Sequence, residues 1–343
     1  MVRNLLITGG AGFIGSNFIE FFLQKYPNYK IINLDLLAYA GDLENLKAVS
    51  QHSNYTFIQG DICDEALVAS LFRDFKVDGV IHFAAESHVD NSIKNPNAFV
   101  KTNINGTFNL LHNAYLAWFE APHKLKVSKE HCVFHHISTD EVFGSLGEGG
   151  YFRESSPYAP NSPYSASKAS SDMLVRSYFH TYGLKTFITN CSNNYGPKQH
   201  DEKLIPTIIR NALHRKAIPI YGDGKNVRDW LFVKDHCAGV DGVFHSKLYG
   251  ETFNIGGNCE LCNIEIARRI CAILDKKIPR KDGISYATQI AFVQDRAGHD
   301  RRYAVDFSKI TKALGWNPNE SFESGLEKTI GWYLEKYGVK NES

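Results

Sequence analysis

The stretch Thr8-Gly9-Gly10-Ala11-Gly12-Phe13-Ile14-Gly15 decides the fold of this chain. An apolar run ends just before it and helical periodicity begins within it, so its glycines lie in a turn between a strand and a helix. Glycines with this spacing permit a tight bend and let the backbone approach a pyrophosphate at the helix N-terminus. The stretch therefore predicts a dinucleotide-binding turn.

The residues after the next two strands indicate which dinucleotide binds. Asp35 ends the second predicted strand, where a carboxylate suits the free ribose hydroxyls of NAD and repels the ribose phosphate of NADP. Leu36 and Leu37 supply no arginine for such a phosphate. NAD is the predicted cofactor. Asp61 and Ile62 follow the third strand, where they either frame the adenine or, in the case of Asp61, cap a helix.

Short apolar runs alternate with helical segments over the first 190 residues. This alternation is typical of an α/β protein with a Rossmann-like, doubly wound parallel sheet. The predicted strands are Asn4 to Thr8, Lys30 to Asp35, Tyr55 to Gln59, Gly79 to Phe83, Cys132 to Ser138 and Thr186 to Asn190. The predicted helices are Phe13 to Lys25, Glu65 to Phe75, Ala98 to Leu116 and Ser165 to Tyr182.

The regularity weakens after about residue 191, where Pro, Gly and Asn cluster. Residues 1–190 are predicted to form the NAD-binding Rossmann domain. Residues 229–258 are expected to rejoin it, because Glu251 to Ile255 reads as a further strand. Residues 191–228 and 259–343 are predicted to form a smaller C-terminal α/β region that binds the substrate.

Composition excludes several classes of partner. Lysine and arginine number 38 against 37 acidic residues, so no overall field attracts nucleic acid or an acidic membrane. No apolar run approaches the roughly 20 residues of a membrane helix, and the N-terminus lacks a signal-peptide pattern. Seven scattered cysteines indicate a reducing cytoplasm, and the Cys259–Cys262 spacing has no second ligand pair, so no metal is expected.

A tyrosine and a lysine four residues apart supply candidate chemistry for hydride transfer. Tyr164 and Lys168 follow Ser162-Pro163 at the start of a predicted helix, which places them on neighbouring turns of one face. A nearby ammonium lowers the pKa of a phenol, and the phenolate takes a hydroxyl proton as hydride leaves the carbon. Behind a glycine turn and a strand ending at Ser138-Thr139, this pattern predicts a short-chain dehydrogenase/reductase site.

Two adjacent carboxylates follow the same strand. Asp140 and Glu141 lie just past its carboxyl end, where α/β folds bind ligands. An acid beside a base is what elimination of water requires, one group to remove a carbon-bound proton and the other to protonate the leaving hydroxyl. The alternative is a solvated acidic turn without a catalytic role.

Taken together, these residues resemble the extended short-chain dehydrogenase/reductase superfamily and, within it, the family of dTDP-glucose 4,6-dehydratases. The resemblance covers nearly the whole chain, from Gly9 to the helix containing Trp332 and Tyr333. Its motifs are TGGAGFIGS at 8–16, GDI at 60–62, HFAAESHVD at 82–90, HHISTDEVFG at 135–144, PYSASKASSD at 163–172, TNCSNNYGP at 189–197, EKLIP at 202–206, PIYGDG at 219–224, RDWLFV at 228–233 and DRAGHDRRYA at 295–304.

The resemblance implies a role for each catalytic candidate. Tyr164 would be the base at the carbon 4 hydroxyl, Lys168 its activator and a ribose ligand, and Thr139 a hydrogen-bond partner of the reacting oxygen. Glu141 would remove the carbon 5 proton and Asp140 would protonate the hydroxyl leaving carbon 6. The product would be a 4-keto-6-deoxy sugar, with NAD regenerated, as in deoxysugar routes such as the rhamnose pathway.

The resemblance also implies two binding sets. The cofactor set is Gly9, Gly12, Phe13, Ile14, Gly15, Asp35, Asp61, Ile62, Ala84, Ala85, Ser87, Thr102, Tyr164, Lys168 and Asn194. The nucleotide-sugar set is Ser87, Thr139, Asn193, Lys203, Leu204, Pro219, Tyr221, Arg228, Asn263, Arg296 and His299. Without the resemblance, Arg228 and Lys203 could equally be solvated surface charges, and His299 could be an ordinary capped histidine in a loop.

Some positions depart from the family pattern, and some alternatives stay open. Leu36, Asn91 and the stretch Lys198 to Asp201 differ from the family near the cofactor edge and the substrate loop. A UDP-glucose 4,6-dehydratase, or an NAD-dependent nucleotide-sugar epimerase or decarboxylase of the same superfamily, is the alternative. The resemblance further implies a homodimer through the helices at about Ala98 to Leu116 and Ser165 to Tyr182.

Overall fold

The computed structural model describes residues 3–126, 128–295 and 298–339. Its α-helices are α1 (Phe13–Lys25), α2 (Glu65–Asp74), α3 (Val89–Lys94), α4 (Pro96–Phe99), α5 (Thr107–Trp118), α6 (Pro163–Tyr182), α7 (Leu204–Leu213), α8 (Val233–His245), α9 (Asn263–Lys277), α10 (Ser308–Leu314) and α11 (Phe322–Lys336). Its strands are β1 (Arg3–Thr8), β2 (Tyr29–Asp35), β3 (Tyr55–Gln59), β4 (Gly79–His82), β5 (Phe119–Ala121), β6 (Lys124–Leu125), β7 (Val133–Thr139), β8 (Thr186–Cys191), β9 (Asn193–Tyr195), β10 (Ile218–Tyr221), β11 (Val227–Phe232), β12 (Thr252–Ile255), β13 (Glu260–Cys262) and β14 (Ile290–Val293).

Seven parallel strands form the central sheet in the order β12-β8-β7-β4-β1-β2-β3. The strand order reverses direction on either side of β1, which is the doubly wound arrangement. Leu5, Leu6 and Ile7 of β1 are at most 1% exposed because helices cover both faces. The predicted α/β fold with a Rossmann-like sheet is confirmed.

The predicted strands and helices of the first 190 residues are present, with one change. The helix expected over Ala98 to Leu116 is not a single α-helix, because a π-helical segment at Val100–Gly106 separates α4 from α5. Asn103 explains the wider turn: its buried amide donates to the Glu86 carbonyl at 3.0 Å and to the Ser167 hydroxyl at 2.8 Å. This segment lines the cofactor side of the molecule through Thr102.

The chain after β8 builds a second layer with its own core. A three-stranded sheet β13-β11-β9 and a parallel pair β10-β14 lie there. Isoleucines of α7 and α9 pack with Leu326 and Ile330 of α11 to form this core. Two later segments of the chain belong to the first layer. Helix α8 and the segment around Ile310 and Trp316 pack in the same hydrophobic cluster as β1. Strand β12 joins the main sheet beside β8, as the strand-like pattern at Glu251 to Ile255 suggested.

No helix within the described ranges has the length and apolar character needed to cross a membrane.

Candidate active site

One deep cleft lies at the carboxyl ends of the central strands and brings most of the predicted residues together. From the predicted sets it is lined by Gly9, Gly12, Phe13, Ile14, Gly15, Asp35, Asp61, Ile62, Ala84, Ala85, Ser87, Thr102, Thr139, Asp140, Glu141, Tyr164, Lys168, Asn193, Asn194 and Lys203. This edge of an open parallel sheet is where such folds bind their ligands.

The glycine turn leaves no room for a side chain at Gly9 or at Gly15. Gly9 has φ 73°, and a Cβ there would lie 2.5 Å from the Ala84 amide nitrogen. A Cβ on Gly15 would lie 2.3 Å from the Gly9 carbonyl oxygen. No side chain caps α1 at Gly12 and no acidic residue lies in its first turn, so the helix N-terminus presents its N–H groups to an anion. These residues fit a dinucleotide.

Asp35 ends β2 at the rim of the cleft and is only 8% exposed. Its carboxylate accepts hydrogen bonds from the Ala11 and Leu37 amides, both at 2.8 Å, which ties the glycine turn to the second strand. Burial raises the pKa of Asp35 and these two bonds offset part of the rise. Asp61 is not a helix cap, because Asp64 caps α2 through the Leu67 amide, whereas Asp61 accepts from Cys63 at 2.9 Å.

The two candidate elimination residues begin a short 3₁₀ turn, Asp140–Phe143, at the end of β7. The Thr139 hydroxyl accepts from the Glu141 amide at 3.3 Å and donates to Asp140 Oδ1 at 3.3 Å. Asp140 is only 2% exposed, so the alternative of a solvated acidic turn is wrong for this residue. Burial, and next the neighbouring Glu141 charge, raise the pKa of Asp140 well above its usual range. A carboxyl group with a raised pKa is suited to act as an acid.

Tyr164 and Lys168 lie in the first two turns of α6, which begins with a Ser162–Ser165 capping box and Pro163 at its first position. Both side chains are buried, and the Lys168 ammonium donates to the Ile137 carbonyl at 2.7 Å. Burial lowers the pKa of Lys168 to about 8. The expected lowering of the phenol pKa is outweighed here, because burial and then the Glu141 charge hold the pKa of Tyr164 well above its usual value.

The two candidate phosphate partners are both committed to fixed contacts. Lys203 donates to the Ser87 carbonyl at 3.0 Å, which joins the start of α7 to the cleft. Arg228 is 5% exposed and lies 4.3 Å from the centroid of the Tyr303 ring, with its guanidinium bonded to the Asp300 carbonyl at 3.0 Å. The solvated-charge reading is therefore wrong for Arg228. Its positive charge opposes the rise in the pKa of Asp140, although Arg228 itself does not line the cleft.

The remaining predicted nucleotide-sugar residues lie outside the cleft lining, in the second layer. The His299 and Tyr221 rings meet edge-on with centroids 6.3 Å apart, and His299 Nδ1 lies 2.6 Å from Asp295. Pro219 lies in β10, which pairs with β14. Asn263 and Leu204 begin α9 and α7. Arg296 lies outside the described residues.

Comparison with known proteins agrees with this geometry. The family model described as GDP-mannose 4,6 dehydratase matches residues 6–329. A dTDP-glucose 4,6-dehydratase of Xanthomonas campestris pv. campestris is 52% identical over 329 residues, covering 96% of this chain and 92% of the relative. The chain belongs to this dehydratase family.

Solved structures extend the comparison within and beyond the family. A dTDP-glucose 4,6-dehydratase of Streptomyces venezuelae, described with NAD bound, matches with a TM-score of 0.87 at 44% identity, covering 98% of each chain. A UDP-glucose 4-epimerase of Thermotoga maritima matches with a TM-score of 0.85 at 27% identity, covering 98% of this chain and 100% of the epimerase. The fold is shared widely, whereas the sequence is much closer to the dehydratases.

Several cleft residues of this family member were not predicted from the sequence. Tyr39 lines the cleft, approaches the Ser87 hydroxyl at 3.3 Å and meets the His200 ring edge-on at 5.7 Å. His200 belongs to the stretch Lys198 to Asp201 that departs from the family pattern. Lys198 anchors that stretch by an ion pair with Glu20. No local spacing links these segments, so only the tertiary fold reveals the contacts.

Proposed function

We propose that this protein is a dTDP-glucose 4,6-dehydratase that uses NAD and converts dTDP-glucose to dTDP-4-keto-6-deoxyglucose and water. The observation that carries the proposal is the pairing of two kinds of chemistry in one cleft. A Tyr164–Lys168 pair suited to oxidation lies beside two carboxyl groups suited to elimination, Asp140, whose pKa burial raises, and Glu141. An epimerase needs no elimination catalyst.

The glycine turn, Asp35 and the uncapped start of α1 are the residues that would hold NAD. When bound, NAD accepts a hydride from carbon 4 and supplies it to carbon 6. Tyr164 takes the proton of the carbon 4 hydroxyl, and the Lys168 charge stabilises the phenolate that this requires. The high pKa of the buried phenol means that this positive charge is needed for the tyrosine to act as a base.

Elimination follows oxidation, because a carbonyl at carbon 4 acidifies the hydrogen on carbon 5. Glu141 removes that proton, and Asp140, whose raised pKa favours its protonated form, gives a proton of its own to the hydroxyl leaving carbon 6. Thr139 holds the start of this turn in place, because its hydroxyl donates to the Asp140 carboxyl and accepts from the Glu141 amide. The second layer is proposed to bind the nucleotide, with Lys203 and Arg228 near the pyrophosphate and Tyr221 and His299 near the base.

The direct test is to incubate the purified protein with NAD and either dTDP-glucose or UDP-glucose, and to follow product formation by mass. We expect loss of one water from dTDP-glucose and a much lower rate with UDP-glucose. An equal or higher rate with UDP-glucose would contradict the nucleotide assignment, and an isomer of unchanged mass would contradict the dehydratase assignment.

We also propose a homodimer formed through α5 and α6. Large apolar side chains are exposed on these helices, with Phe108 44%, Leu116 54% and Met173 49% exposed. Exposed apolar side chains on two helices that pack against each other favour a protein interface. Sedimentation should give a dimer at micromolar concentration, and Phe108→Glu should shift it towards monomer, with the exposed Phe292→Glu as the matched control. A single monomeric species of the unmodified protein would contradict the proposal.

A further inference from the structure

Two buried titratable residues lie next to Lys168 without lining the cleft. His136 is on β7 and Asp172 is on α6, one turn after Lys168, and both side chains are 0% exposed. Neither has a role in the proposed reaction. Buried groups of this kind are costly unless they are paired, so their presence requires an explanation.

His136 lies between the two charged groups, and Asp172 acts on Lys168 through its charge and not through a chain of hydrogen bonds, because Asp172 Oδ1 accepts none from the described residues. His136 Nε2 lies 3.4 Å from the Lys168 ammonium and 3.3 Å from Asp172 Oδ1. Burial and the Lys168 charge hold the pKa of His136 well below its usual value, so its imidazole is neutral. One imidazole nitrogen therefore lies between a buried ammonium and a buried carboxylate.

The carboxylate of Asp172 is held in place by three donors. Its Oδ2 atom accepts from the Ser138 hydroxyl at 2.9 Å, the Tyr158 hydroxyl at 2.9 Å and the Asn190 amide at 3.3 Å. Burial raises the pKa of Asp172 to about 6, with the Lys168 charge and these donors opposing the rise. Asp172 is therefore ionised at neutral pH even though it is fully buried.

We propose that Asp172 is a positioning residue for the dehydratase reaction, in which its carboxylate, lying beside His136, is the counter-charge that keeps the buried Lys168 protonated. The need for a charged Lys168 rests on the proposed function. The effect of the Asp172 charge on Lys168 does not depend on that function. An ammonium buried without a counter-charge loses its proton.

The other titratable groups around Lys168 do not supply that negative charge. Cys191 on β8 also favours the charged ammonium, but burial raises the pKa of its thiol to about 12, so it stays neutral. His82 on β4 is held neutral by burial, and burial raises the pKa of Tyr164 on α6, which disfavours a phenolate there before substrate binds. The carboxyls of the turn after β7, Asp140 and Glu141, act on Tyr164.

The link can be measured in the NAD-saturated protein without turnover. We would label the lysine ε-carbons with ¹³C, assign the Lys168 resonance by its loss in Lys168→Met, and titrate the wild type and Asp172→Asn. The Lys168 midpoint should fall by about one pKa unit or more in Asp172→Asn. The wild-type Lys168 resonance should also show a second inflection near pH 6, where Asp172 takes up its proton.

Activity gives the second readout. In Asp172→Asn the fall of kcat/KM on the basic side should move to lower pH, so a drop of one unit in the Lys168 pKa from about 8 should make the loss about fourfold greater at pH 8 than at pH 6.5. The matched control is Tyr158→Phe, which removes one donor but keeps the charge. Its basic limb should stay in place.

Two results would overturn the inference. One is a Lys168 resonance that titrates in a single step in the wild type. This test needs only the wild-type protein, so it can be made even if Asp172→Asn does not fold. The other is an equal loss of kcat/KM at every pH in Asp172→Asn with an unmoved Lys168 midpoint, which is the signature of a structural role. Coupled titrations in a protein inactive on dTDP-glucose would refute the proposed function alone.

Discussion

The hydroxyl of Thr139 lies 3.3 Å from the carboxyl group of Asp140, its neighbour in the chain. The residue proposed to contact the reacting oxygen is therefore joined directly to the proposed acid. Both residues line the cleft. Thr139 is the last residue of β7, and Asp140 is the first residue of the 3₁₀ turn that follows it directly.

The double variant Asp140→Asn with Glu141→Gln should separate oxidation from elimination. Because Tyr164 and Lys168 remain, addition of dTDP-glucose should still produce the absorbance of reduced nicotinamide. Release of the 4-keto-6-deoxy sugar should fall by about 10²-fold or more, as for the loss of an acid–base catalyst. Normal dehydration by this variant would show that the carboxyl groups have other roles.

Removal of the phenol should stop the reaction before elimination. Tyr164→Phe should reduce kcat by about 10²- to 10⁴-fold, with no reduced nicotinamide accumulating. The matched control is Tyr151→Phe, since Tyr151 is 56% exposed and lies outside the cleft lining. Rapid-mixing absorbance measures both variants, and equal burst amplitudes for Tyr164→Phe and wild type would refute the assignment of the base.

The glycine turn should not tolerate a methyl group. In Gly15→Ala the new Cβ would lie 2.3 Å from a backbone carbonyl oxygen that cannot move aside, so NAD affinity should fall and the free energy of unfolding should drop by about 1–3 kcal/mol. Gly331→Ala in α11 is the control, because nothing lies within 4 Å of its Cβ position. Titration with NAD and thermal unfolding test both variants. Unchanged NAD affinity in Gly15→Ala would remove the turn from the cofactor site.

Activity should decline on the basic side through the loss of the Lys168 charge. Burial lowers the pKa of Lys168 from 10.5 to about 8, so the charged, active form predominates below pH 8 and is lost as the pH rises through that value. In Lys168→Arg the remaining activity should lack this decline, because a guanidinium stays protonated. A basic limb at the same pH in Lys168→Arg would assign the titration to another group.

The glycine turn, Asp35 and the central strands could be predicted because their signals are local in the sequence. Tyr164, Lys168 and the Asp140–Glu141 pair also follow short spacings, so their position at one sheet edge was predictable. The contact of Tyr39 with His200 was not, since residues far apart in sequence make it. The break in the helix over Ala98 to Leu116 was not predictable either. The Asn103 amide in that segment bonds to Glu86 and Ser167, which are distant in sequence.

The second layer was the least predictable part. Its helices α7, α9 and α11 bury their apolar faces against each other rather than against the main sheet, and no glycine motif marks their starts. The link from Lys168 to Asp172 had a partial signal, because the two residues are four apart on one helix. His136, which lies between them on β7, had none.

In the proposed reaction one hydride leaves carbon 4 and returns to carbon 6 of the same sugar. This transfer is tested most directly by incubating the protein with dTDP-glucose carrying deuterium at carbon 4 and locating the label in the product. We expect deuterium at carbon 6 of a product that has lost one water. Deuterium retained at carbon 4 of a product with unchanged elemental composition would contradict it and indicate an epimerase.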